Sequence, residues 1–493
     1  MRKMAVRSRP RTPSGRCGWL PRSGGALSST TQMVEEDPMT RWTRTGRGMG
    51  LAALTTALCG IVAGGPSVAA AAPDGAVPPI VFVHGDSDSA AFWMPVLWRF
   101  ESNGVPAGRL FAVDIDHPAA RLDDQVAQEN RSSTEDAARA VAATVDRAVA
   151  ETGADKVAIV GHSRGCQSAR NYVKNFGGAA RTATMVLAGC VHHGVYVNPE
   201  ERTGSEYNGA GAFLTALNSP PAIPDGIDTT ILRSDRFDLY AQPNGRFLGL
   251  PEQETGISYD APELDGAPTV VLDGADHRET ASSPEAFIAM YTAITGRPPA
   301  RLEITSEERP QIGGEISGFA SGAPTNRPLA GATLDIFAVD ARTGERLGDA
   351  VFSQTVGEDG RYGPFRAAPD AAYEFVIAAK DYPLTRIYRA PFPRSTALAH
   401  LRLYPAPDLS APGEIVGMMR PRGYFGIDDN ATLDALPIAG RPENEPVPSV
   451  WRAAVAIPGD APQTVTGGFD GEVIAARTSP DDPNDVVWIE LTD

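Results

Sequence analysis

The sequence predicts an α/β protein, with a parallel sheet covered by helices on both faces, followed by a C-terminal all-β domain built as a sandwich or barrel. Three observations carry this. Between Pro78 and about Arg297, apolar runs of strand length alternate with amphipathic stretches of helix length, the pattern of strands joined by crossover helices. Past Gly296-Arg297-Pro298-Pro299 the helical period fades, and strand-like alternation broken by Gly, Pro and Asp takes over. At 493 residues the chain also exceeds what one core supports.

The first 72 residues read as a targeting segment. They hold ten Arg/Lys against three Asp/Glu, a balance of +7 within a chain whose net charge is -17. From Met39, MTRWTRTGRGMG forms a basic head, LAALTTALCGIVAGG an apolar core, and PSVAAAAPDG a run of small residues with cleavage sites near Ala71–Ala72. The expectation is export to the periplasm or the medium through a signal peptide starting at Met39. Cys59 offers a rival, lipid-anchored reading, but Thr56-Ala57-Leu58 is a poor context for it. No later segment reaches 18 apolar residues, so no stable membrane anchor is expected. The acidic remainder repels nucleic acid and anionic membrane surfaces, which excludes nucleic acid as a partner.

The second segment, 73–300, carries the strand candidates Ile80–Val83, Leu110–Ile115, Val157–Val160, Ala183–Leu187, Thr229–Leu232 and Thr269–Leu272. Between them, STEDAARAVAATVDRAVAETG predicts a helix capped by Ser133 and stopped by Gly153. PEAFIAMYTAITG predicts another, with Pro284 in the first turn and Gly296 at the end. The third segment, 301–493, is expected to be antiparallel β, with strands in ATLDIFAVDA, YEFVIAA, LAHLRLY, GEIVGMM, SVWRAAVAI and DVVWIEL. A Pro-rich break near 405–413 marks a sub-boundary. Downstream of the leader only Cys166 and Cys190 remain, as one disulfide in an oxidising compartment or as two buried thiols.

The strongest local signal is Gly161-His162-Ser163-Arg164-Gly165, which leaves a strand and opens a helix. A sharp turn there forces Ser163 into a strained backbone, and Gly161 and Gly165 let strand and helix approach closely. The hydroxyl then stands clear as a nucleophile, and the Arg164 N–H faces a developing oxyanion. A second donor is expected after Ile80-Val81-Phe82-Val83-His84-Gly85, at the N–H of Asp86. The acidic DSDS run is unexpected there, so the Asp86 carboxylate should turn away. Of seven histidines, His277 follows the last parallel strand, where chain order Ser, acid, His puts the base. His84 reads as a loop-bonding residue, and His192 and His193 as loop packing. For the acid, S-x-x-x-D with Pro243 beyond it points to Asp238. Asp235 competes, while Asp276 adjoins His277 and is poorly placed to face the same ring. Neither H-E-x-x-H, C-x-x-C nor a phosphate loop occurs, so no metal and no cofactor are expected.

Through IVFVHG, NGVPAGRLFAVDID, ETGADKVAIVGHSRG and ASSPEAFIAMYTAITG, the chain resembles secreted microbial lipases and esterases of the α/β-hydrolase superfamily. YEFVIAAKDYPLTRIYRAPFPR extends the likeness to the two-domain type, as in archaeal long-chain lipases with an appended β-barrel. The resemblance implies Ser163 as nucleophile and His277 as base, in a serine carboxylester hydrolase working through an acyl-enzyme. Some two-domain members carry the acid just after the strand matching Ala183–Leu187. Here that place reads Ala188-Gly189-Cys190. The long apolar lid of such lipases is replaced by the short polar HPAARLDDQVAQENRSSTED, which favours small or soluble esters. The partner is thus an ester substrate, lipid or polyester included. The alternatives are a polyester depolymerase with the same triad, and a non-catalytic binding protein on a decayed hydrolase fold.

Overall fold

Strands buried on both faces need apolar residues at every position, and the central strands have them. The computed structural model describes residues 32–36, 77–405, 413–438, 447–479 and 485–492. The leader expected from Met39 to Ala72, with Cys59, lies outside them. Strand β1 (Gln32–Glu36) pairs antiparallel with Val450–Ile457. The strands β2 (Ile80–Val83), β3 (Leu110–Val113), β4 (Val157–His162), β5 (Thr182–Ala188), β6 (Asp228–Ser234) and β7 (Thr269–Leu272) form one six-stranded sheet. Its order is β3-β2-β4-β5-β6-β7, and every pairing is parallel.

Alternate side chains of each strand feed opposite cores. Val81, Val83, Val157 and Ile159 face helices α2 (Thr134–Thr152) and α3 (Arg164–Asn175). Ile80, Phe82, Ala158 and Val160 face α1 (Met94–Ser102) and, beyond the short α4 (Ala212–Leu217) and α5 (Glu279–Ser282), the helix α6 (Pro284–Thr295). Local signals set the helix ends. Ser133 and Asp136 form a reciprocal capping box on α2, and Gly153 closes it with φ 69°. Ser283 caps α6, Pro284 fills its first turn, and Gly296 ends it at φ 73°.

From β2 the chain steps outward to β3, then returns over β2 through α2 to β4. Successive connections therefore diverge at the carboxyl ends of β2 and β4, which opens a crevice there. His84-Gly85-Asp86 and Ser163 border it. Cys166 of α3 is disulfide-bonded to Cys190 beyond β5, so the bridge ties together two elements beside the crevice.

The C-terminal region is all β, but not purely antiparallel. Val486–Glu490 pairs in parallel with both Thr385–Arg389 and Glu414–Met419. One eight-stranded sheet thus spans the Pro-rich break, which separates sequence segments without separating sheets. LAHLRLY yields only the short strand Leu401–Arg402, paired to Gln311–Ser317. Alternation again divides the large sheet between two cores. Ile387 and Trp488 face one that also takes in Met94, Trp98, Leu239 and Tyr240 of the α/β part. Tyr388, Val487 and Ile489 face the other.

Replacing Cys166 and Cys190 with Ala should destabilise the α/β part by about 3 kcal/mol, the chain-entropy value for a loop of this length. Denaturant midpoints of parent and double variant read this directly, and equal midpoints would show that the bridge adds nothing.

Candidate active site

Ser163 joins β4 to α3 with φ 53° and ψ -123°. A serine in that region costs on the order of 1–3 kcal/mol, so packing has to hold it there. The neighbouring glycines show how. A Cβ on Gly165 would lie 2.3 Å from the Val83 carbonyl oxygen, and one on Gly161 would lie 2.9 Å from that of Gly165. At Gly85 it would approach the Ser163 Cβ at 3.1 Å. Helix α3 therefore leans directly against the end of β2, and no side chain fits in the contact. Arg164 opens α3, where the first N–H groups lack intrahelical partners.

The Arg164 side chain is buried and fully engaged. Its guanidinium grips both Glu206 oxygens at 2.7 and 3.0 Å and bonds Pro118 O, Ser132 Oγ and Ser132 O. Burial opposes its charge, but Glu206 holds its proton above the ordinary arginine range. Burial in turn raises the Glu206 carboxyl against the pull of Arg164. One residue of the turn thereby anchors the loop after β3 and the loop around Glu206 over the crevice.

Asp86 directs its carboxylate into that second loop. One oxygen accepts from Ala120 N at 3.0 Å and Tyr207 OH at 2.5 Å, the other from Ser87 Oγ. Burial and then the Asp86 charge raise the Tyr207 phenol well above its usual value, so it stays a donor. His84 bonds loop backbone through both ring nitrogens, donating to Gly85 O and accepting from Ile115 N.

His277 and Asp238 meet. Their Nδ1 and Oδ1 atoms are 2.9 Å apart, and both side chains are buried. The same Asp238 oxygen accepts from Tyr240 N at 2.8 Å, and the Tyr240 ring packs edge-on against the imidazole at 4.5 Å. Asp235 does not reach the ring; it accepts from Arg236 N and Gly274 N within its own turn and the next loop. Asp276 faces away, toward Tyr424 N at 2.6 Å. Ser163 is linked to His277 through its neighbour, since the His162 Nε2–H donates to His277 O at 3.0 Å. The His162 ring stacks on Phe92, and burial lowers its pKa well below the usual value, so it stays neutral. Among the described residues, no hydrogen bond joins the Ser163 hydroxyl to the His277 ring.

Four features escaped the sequence. These are the Arg164–Glu206 pair, the Tyr207 restraint on Asp86, the His162 bond to His277 O and the exit of Asp276 toward Tyr424. Each joins residues tens to more than a hundred positions apart, and no local pattern marks them. Three of the remaining histidines lie elsewhere: His192 beside Arg170, His193 at the surface on Glu263 O, and His400 between Asp114 and Glu315 N.

A cavity of about 90 Å³ lies beside Asp86 and Tyr240, walled by Tyr196, Tyr207 and Leu248 and roofed by Ala323-Pro324 from the β region. A far larger cleft, about 1040 Å³, separates α1 and β3 from the β region, but none of Ser163, Asp238 and His277 lines it. The small cavity is not lined by these three residues either, but it borders the site through Asp86 and Tyr240.

Residues 77–198 match the model of the Lipase (class 2) family, and residues 312–405 match that of the Lipase C-terminal domain. A comparison with curated protein sequences gave no match. Among solved structures, the chain is similar to the mature lipase BlEst2 of Bacillus licheniformis at 18% identity. That alignment covers 45% of this chain and 94% of that one, with a TM-score of 0.34. It is also similar to the carboxylesterase CesB of Bacillus subtilis, at 13% identity over 46% and 86% of the two chains, with a TM-score of 0.27. With Aspergillus fumigatus lipase B the identity is 13%, over 47% and 55%, and the TM-score 0.32. The two family matches, in this order on one chain, indicate an α/β-hydrolase of the lipase type with a C-terminal domain and support a carboxylic ester hydrolase.

Proposed function

We propose that the protein is an exported serine esterase that cleaves short-acyl carboxylic esters through Ser163, His277 and Asp238. The observation that carries this is the Asp238–His277 contact of 2.9 Å, formed one residue's contact away from the strained Ser163.

In this reading Ser163 Oγ attacks the acyl carbon while His277 Nε2 takes its proton. Asp238, accepting from Nδ1–H, keeps the other ring nitrogen available as a base and stabilises the imidazolium that forms. The backbone N–H groups of Asp86 and Arg164 meet the negative charge of the tetrahedral intermediate. The imidazolium then protonates the leaving alcohol, and a water activated by His277 releases the acid from the acyl-enzyme. Asp86 fits this role only with its carboxylate held off, which the Tyr207 and Ala120 bonds support.

A short acyl group is favoured by the short, polar segment 117–136 and by the small size, about 90 Å³, of the cavity that borders the site through Asp86 and Tyr240. The disulfide supports an oxidising compartment, and hence export. Among the described residues no helix is long and apolar enough to cross a membrane.

Hydrolysis of p-nitrophenyl esters from C2 to C16 should peak at C2–C4. Ser163→Ala should abolish turnover, and Asp238→Asn should lower kcat by about 10⁴-fold. A maximum at C12 or longer would contradict the short-acyl assignment, and turnover surviving in Ser163→Ala would remove it as nucleophile. Tyr207→Phe removes one of the three bonds that hold the Asp86 carboxylate off the oxyanion and should lower kcat about tenfold, or about 1.4 kcal/mol, with KM little changed. An unaltered kcat would show that the restraint does not matter.

A further inference from the structure

The loop that carries His277 is held from outside the α/β part, by a turn in the last segment of the chain. That turn, Arg420 to Phe425, follows the strand Glu414–Met419 and lies beyond both stretches that match lipase families. Asp276 Oδ2 accepts from Tyr424 N at 2.6 Å and from Arg420 Nη1 at 3.4 Å. The second Arg420 nitrogen bonds Glu279 at 2.6 Å, while its first also bonds Tyr424 O. Arg278 donates to Pro421 O at 3.0 Å and lies over the Tyr424 and Trp451 rings. Ser282 Oγ donates to Arg422 O at 2.7 Å.

The loop closes the same cluster internally. Asp276 Oδ1 accepts from the N–H groups of Arg278 and Glu279, and Glu279 accepts from Asp276 N. The residues on either side of His277 are therefore fixed by the last segment, while its ring alone faces Asp238. A second line of contact reaches the same place. Arg422 bonds Ala91 O and Phe92 O, Phe92 stacks on His162, and His162 bonds His277 O. Asp276 is buried, and burial, helped by the Glu279 charge, raises its carboxyl to about 7, with Arg420 opposing. Removing Arg420 would leave the buried Asp276 carboxylate beside the half-buried Glu279 carboxylate next to the base, and such a pair relaxes by moving apart or taking up a proton.

We propose that the turn from Arg420 to Phe425 serves as a positioning element for His277, with Arg420 as the positioning residue that sets the imidazole against Asp238. This rests on the hydrolase reading above, in which His277 is the base. It gives the last segment a part in turnover that neither family match covers.

The test uses the full-length chain and two readouts. Arg420→Ala should lower kcat on p-nitrophenyl acetate at least tenfold while KM stays within twofold. Arg420→Lys keeps the charge but cannot serve Asp276 and Glu279 together, so its kcat should fall between. Independently of turnover, the downfield Nδ1–H proton resonance of His277, assigned by its absence in Asp238→Asn, should shift or broaden in both variants. Arg346→Ala weakens the buried Glu374 cluster elsewhere in the β region and should change neither readout. A wild-type kcat and resonance in the folded Arg420 variants would overturn the proposal, as would an equal loss in Arg346→Ala. If the parent protein cleaved no ester, the hydrolase reading would fail on its own, and the resonance alone would decide the positioning claim.

Discussion

The backbone at Ser163 sits where an unstrained serine would not rest, and the arrangement of the site follows from what holds it there. Helix α3 must approach β2 so closely that Gly165 touches the carbonyls of Val83 and His84. That contact sets the start of α3, and with it the direction of the Ser163 side chain and of the Arg164 N–H. Strain of one to three kcal/mol is a large part of a marginal stability, so it persists only inside a rigid surround. The buried strands on either side and the Cys166–Cys190 bridge supply that surround.

Electrostatics around the turn serve a second purpose, which is to place charge without exposing it to the reaction. Arg164, Glu206 and Asp86 are formally charged groups close to the proposed oxyanion position. Arg164 and Glu206 neutralise each other, and Asp86 is bound by Tyr207 and Ala120 N. Breaking one partner of such a buried pair costs several kcal/mol, far more than an exposed pair contributes. The polar loops over the crevice are thereby tied to the turn through side chains.

Much of the α/β part was legible in the sequence because its signals are local. Short β-branched apolar runs such as Ile80–Val83, bounded by Pro79 and Gly85, favour a buried strand, and Ser133, Gly153, Pro284 and Gly296 mark helix ends through their own backbone chemistry. The Gly-x-Ser-x-Gly turn was readable for the same reason. The partner of His277 was only half readable, since spacing admitted Asp235 and Asp238, and only the folded loop sets Asp238 against the ring. The β region was read as antiparallel, but Val486–Glu490 enters between two strands in parallel. Strand pairing is a long-range choice that periodicity does not carry. The ties from Arg420 to Asp276 and from Arg164 to Glu206 are side-chain contacts of the same kind, invisible until the chain is folded.

The account stands or falls on Ser163 as a nucleophile, and covalent labelling tests it most directly. The full-length protein should be treated with a fluorophosphonate and digested, and the modified peptide sequenced by mass spectrometry. The account predicts one stoichiometric adduct, on Ser163, formed slowly or not at all in His277→Ala. No adduct, or an adduct on another residue with Ser163 unmodified, would contradict it.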